Sequence, residues 1–122
     1  MTKNDVYKKL IEIKQSCGQD DWDGEGAPAI VEEALAVARA FVAVLPDNLP
    51  LPSAGPGPDG DMVDLYWNNH PRCLLVALKS NWTYSYFGYI PKNEDPSTTV
   101  KKDNVSFPKE SITQDILNFL SD

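Results

Sequence analysis

Between residues 18 and 30 the chain reads Gly-Gln-Asp-Asp-Trp-Asp-Gly-Glu-Gly-Ala-Pro-Ala-Ile, which sets Asp20, Asp21, Asp23 and Glu25 around Trp22. Clustered carboxylates of this kind bind cations or dock basic surfaces. Asp21, Asp23 and Gly24 fit the third, fifth and sixth places of a calcium loop, where oxygen ligands and a sharp glycine turn are needed. Gln19 then falls at the first place and Ile30 at the closing glutamate place, so the ligand set fails at both ends. No metal site and no cofactor are expected. Two roles remain for this seam: an acidic docking loop, or a helix–helix connector turned by Gly24 and Pro28 and pinned by Trp22. A fully buried Trp22 ring would make Trp22→Ala cost about 3–5 kcal/mol.

The other reactive side chains are sparse. His70 is the only histidine and lies in a turn before Pro71, with no nucleophile or acid at a recognisable spacing. Cys73 opens an apolar run and reads as packed rather than nucleophilic, and Cys17 ends a helical stripe. Gly24-Glu-Gly26 lacks a third glycine, and Gly55-Pro-Gly57 carries proline where a phosphate cradle needs backbone donors. No catalytic residues are expected.

The 122 residues carry a net charge of −7, unevenly placed. Residues 1–64 hold 12 acids against 5 bases, whereas residues 65–122 hold 6 of each. An acidic half repels phosphates, which argues against direct nucleic-acid binding and for a protein partner with a basic surface. The first residues lack the apolar core of a signal peptide, and no run reaches membrane-spanning length. A cytoplasmic protein with free, buried thiols is expected.

The elements that hold these residues follow from periodicity. Val6, Leu10, Ile13 and Cys17 recur at helical steps, which predicts a helix over 4–17 stopped by Gly18 as its C′ residue. A second helix is predicted over 31–45, with Ile30, Ala34, Val37, Ala38, Phe41 and Leu45 as its stripe. Residues 46–61 are too rich in proline for a helix or a central strand and read as a polyproline-like strap.

From residue 62 the period becomes two. Strands are predicted over 62–68, which includes Trp67, then 72–79 and 82–90, with an edge strand over 98–101 and a capped helix over 111–120. In the third strand Trp82, Tyr84 and Tyr86 share one face, and Phe87 and Tyr89 share the other. One face must pack on the helices, and tyrosines on the other, with Tyr84 and Tyr86 as the candidates, would be docking anchors. The expected fold is one α+β domain: two N-terminal helices and a C-terminal helix on a three- or four-stranded antiparallel meander.

The run Trp22-Asp-Gly-Glu-Gly-Ala-Pro-Ala-Ile30, followed by Glu33-Ala-Leu, Ala40-Phe-Val, Leu45-Pro, Pro50, Pro52, Pro58-Asp-Gly60 and Leu65-Tyr-Trp67, resembles a family of small bacterial and phage-borne proteins of unassigned role. Val31 departs from the capping Ser or Thr usual there, so the second helix should start more weakly. The resemblance implies a compact accessory protein found near mobile elements, of antitoxin or anti-defence type, and transfers no catalytic residues. The expected function is therefore binding of a protein partner, with the seam acids and the strand tyrosines as contact residues. An acidic surface of that kind could occupy a basic groove as a nucleic-acid mimic. A small-molecule module with a pocket between helices and sheet, lined by Trp22 or Trp67, is the alternative.

Overall fold

The computed structural model describes residues 2–20, 22, 24, 26, 28–57, 60–69, 72–91, 99–108 and 112–121. Along the chain run α1 (Lys3–Cys17), α2 (Glu32–Ala43), β1 (Ser53–Pro56), β2 (Met62–Asn69), β3 (Arg72–Lys79), β4 (Thr83–Tyr89), β5 (Val100–Ser106) and α3 (Gln114–Ser121). The class is α+β as expected. The antiparallel sheet has five strands, in the order β1-β2-β3-β4-β5, rather than three or four.

The extra strand comes from the strap. Ser53–Pro56 pairs with β2, Ala54 facing Leu65, so this stretch is sheet edge and not a free polyproline run. An edge strand needs donors on one side only, and that tolerates Pro52 before it and Pro56 at its end. The opposite edge, β5, is longer than the predicted 98–101. Its pairing slips from Tyr84↔Val105 to Tyr86↔Lys102, a bulge that interrupts the alternation. Asn104 enters the left-handed region there with φ 54°, and its N–H donates to Ser85 Oγ at 3.1 Å.

Helix ends differ from expectation for local reasons. Gly18 has φ −82°, not a left-handed value. Its glycine identity reflects close approach, because a Cβ would collide with the Lys14 carbonyl oxygen. Val31 makes no side-chain cap bond at the start of α2, and its N–H donates to the Gly60 carbonyl at 2.7 Å. At the other end of α2, Lys3 Nζ donates to the Ala43 and Leu45 carbonyls at 3.1 and 2.7 Å, a cation where the helix dipole is negative. α3 starts at Gln114, three residues later than predicted, and Ser111 of the predicted capping box lies outside the described residues.

All three helices cover one face of the sheet. α2 packs on β2 and β3, α1 on α2 and β1, and α3 on β5. The core they close holds Val63, Leu65, Trp67, Leu74, Val76, Leu78 and Tyr84 from the sheet. Phe41 of α2 meets the Tyr84 ring edge-on at 5.2 Å and the Phe107 ring at 5.6 Å. Gly88 belongs to the same face, since a Cβ there would press on Val100, Leu74 and the Phe119 ring of α3.

Candidate functional site

The seam is a closed loop. Its ends join through the Ile30 N–H, which donates to the Cys17 carbonyl at 2.8 Å. Inside it, Trp22 Nε1 donates to the Pro28 carbonyl at 2.9 Å, and Asp20 Oδ1 accepts the Ala29 N–H at 2.9 Å. Gly24 and Gly26 turn the chain with φ 75° and 86°, angles that penalise a side chain. Gly60, at φ 76°, lets the strap close over the loop, because a Cβ there would sit 2.5 Å from the Ala29 carbonyl oxygen. Asp20 is thus committed to the connector, and Asp21, Asp23 and Glu25 lie outside the described residues.

Trp22 is half-buried against the core rather than fully enclosed. Its truncation removes partial apolar burial and one hydrogen bond to a carbonyl. The expected loss from Trp22→Ala is therefore about 1–2 kcal/mol, well under the value for a buried ring, as urea denaturation would measure.

Tyr84 and Tyr86 are not presented to solvent; they are 0% and 3% exposed and face the helices. Tyr84 Oη accepts the Thr113 N–H at 3.1 Å. Tyr86 Oη accepts from Thr113 Oγ1 at 3.2 Å and donates to Asp115 Oδ2 at 3.1 Å, and its burial raises the phenol above its ordinary range. These two tyrosines seat α3 on the sheet and cannot act as docking anchors.

The other parity of the same strands makes the open surface. Register aligns Tyr66 of β2, Leu75 of β3 and Phe87 of β4 in one row across the sheet, with Tyr89 next along β4. Tyr66 is 40% exposed, Leu75 40%, Phe87 44% and Tyr89 39%. The Phe87 and Tyr89 rings lie 5.6 Å apart at 38°. A shallow depression of about 150 Å³ between Leu75, Phe87 and Asp103 deepens the patch. No described element covers this face.

Polar groups border the row. Cys73 is a buried free thiol whose Sγ lies 3.4 Å from Asn68 Oδ1, and its sulfur pushes the neighbouring Tyr89 phenol upward. His70 lies outside the described residues, so no Cys–His pairing is defined. Among the described residues no cluster of His, Cys, Asp and Glu could hold a metal ion.

Asp64, opposite Ala77 and one residue pair from the Tyr66 row, is half-buried, and desolvation raises its carboxyl above the ordinary aspartate value of 3.8. A carboxyl raised in the folded state destabilises the fold above its folded pKa. That penalty fades as pH falls through the folded value and is gone below the unfolded one. Asp64→Asn should therefore be more stable than wild type at pH 7, by less than about 1 kcal/mol given solvent screening, with the gain vanishing below about pH 3.8. Thermal unfolding across pH checks both the sign and the window.

Compared with known proteins, the chain matches no family model, no curated protein and no solved structure. No helix among the described residues is long and apolar enough to cross a membrane.

Proposed function

We propose that this chain is a non-enzymatic protein-binding module of antitoxin or inhibitor type, acting in the cytoplasm, and that it receives its partner on the open sheet face. The observation that carries this reading is the Tyr66–Leu75–Phe87–Tyr89 patch on a sheet whose opposite face is covered by the helices. Contiguous exposed apolar side chains framed by polar ones are characteristic of interaction sites, and tyrosine and phenylalanine are common anchors within them. The two buried free thiols fit a reducing compartment.

The acidic N-terminal half contributes long-range steering toward a basic partner rather than the contact itself. Changing Asp20, Asp21, Asp23 and Glu25 to their neutral amides should slow association and flatten its salt dependence. Stability should stay nearly unchanged, since the amide replacing Asp20 keeps an acceptor oxygen for the Ala29 N–H. The small-molecule alternative places its pocket at Trp22 or Trp67, but Trp67 is packed in the core with Phe41 and Tyr84, and the cleft of about 240 Å³ between α1 and β1 is lined by neither tryptophan.

The test is capture from an extract of the native host, run in parallel with wild type and Phe87→Lys. A specific protein retained by wild type and lost with the folded variant supports the reading. Equal retention by both removes the sheet face from the function.

A further inference from the structure

We infer that the open sheet face also takes a second copy of this chain, giving a face-to-face dimer of two sheets. This rests on the reading of that face as a docking surface.

Charge selects the occupant. The chain carries −7 overall, yet the charged side chains described on this face are Lys79, Lys101, Asp64 and Asp103, two of each sign. A face with an apolar row at its centre and no net charge around it lacks the repulsion that the rest of the chain carries, so two identical faces can meet there. Sheet-to-sheet packing also keeps the like-charged parts apart. Glu12 of α1 and Glu32 and Glu33 of α2 lie on the helical side, so in the dimer they occupy the two outer layers. Sheets stack about 10 Å apart, and each is backed by a helix layer about 10 Å deep. The acidic layers are then separated by more than the Debye length of about 8 Å at physiological salt.

The edges disfavour the other way in which sheets join. β5 presents Lys101 and Lys102, and β1 is a four-residue strand with Pro52 before it and Pro56 at its end. Both are features that block edge-to-edge pairing. Association is left to the faces.

Area sets the strength. Strands of 8 residues in β2 and β3 span about 26 Å, and five strands about 19 Å, so each copy offers on the order of 500 Å². The pair then buries on the order of 1,000 Å², at the lower bound of specific interfaces, which makes this a weak, reversible dimer rather than an obligate one.

The experiment is sedimentation of the full chain over a concentration series, at low and high salt, with Phe87→Lys and Leu75→Lys beside wild type. Wild type should pass from monomer to dimer. Added salt should tighten the dimer a few-fold by screening the repulsion between two −7 copies, opposite to its effect on a basic partner. Both variants should stay monomeric with unchanged circular dichroism. Should either variant misfold, wild-type amide and methyl resonances followed on dilution give the same information, with shifts confined to the Tyr66–Leu75–Phe87–Tyr89 face.

A wild type that is monomeric at every concentration overturns the dimer and leaves the partner reading standing if capture still depends on Phe87. A dimer that survives both lysine variants, or dilution shifts along β5 or the helices, overturns it as well. Dimerisation lost in Phe87→Lys with partner capture retained supports the dimer and removes the partner from this face.

Discussion

Trp67→Ala should destabilise the fold by about 3–5 kcal/mol, enough to leave most of the chain unfolded at moderate temperature. The ring is 1% exposed and sits in β2 at the meeting of sheet and helices. Its Nε1 donates to the Pro50 carbonyl at 2.8 Å, so the same side chain fills the core and ties the strap to the sheet. Truncation opens a cavity the size of an indole and leaves that carbonyl without its partner. Trp67→Phe separates the two effects: it keeps most of the packing, loses the bond, and should cost about 1–2 kcal/mol. Chemical denaturation of the two variants reads both values. Near-equal losses would mean that the strap bond, not the packing, dominates.

Phe87→Lys should weaken partner binding by at least about 30-fold, the loss expected when a central aromatic anchor is replaced by a charge. Phe87 is the most exposed of the four large apolar residues on the open face and lies in the same row as Leu75 and Tyr66. Its removal from the surface of a strand costs the fold little, within about 0.5 kcal/mol, because no described element packs on it. The seam amides should behave differently, with an effect on association rate that disappears at high salt. Titration of the isolated partner against these variants, with thermal unfolding as the control, measures the contrast.

Much of this was legible in the sequence where one physical signal dominated. The α1 stripe Val6, Leu10, Ile13 and Cys17 is buried as the spacing predicts, and the shift to period two at residue 62 marks the start of β2. The strap hid a strand because prolines mask pairing signals, although an edge strand tolerates them. β5 runs past its predicted end because the bulge at Asp103 and Asn104 breaks the alternation. Trp22 announced a connector by its company of glycines and acids, but how deeply a ring sits depends on tertiary packing that local sequence does not encode.

The open sheet face departs further from expectation. Parity separates Tyr84 and Tyr86 from Phe87 and Tyr89, but the expectation of solvent-facing tyrosines rests on the wrong pair. A signal for the right choice was present in Gly88. It shares parity with Tyr84 and Tyr86, and a glycine within a strand marks the place where another element comes close. Here that element is α3, whose Phe119 ring would meet a Cβ at 3.1 Å. The face without the glycine is the open one.

The measurement that bears most directly on the central claim is side-chain labelling by hydroxyl radicals, with the chain dilute enough to be monomeric, before and after addition of the captured partner. Docking on the sheet predicts that Tyr66, Phe87 and Tyr89 lose their labelling while Ile11, exposed on α1, keeps it. Protection of Ile11 and the helical side, with the three aromatic rings labelled as in the free protein, would contradict the account.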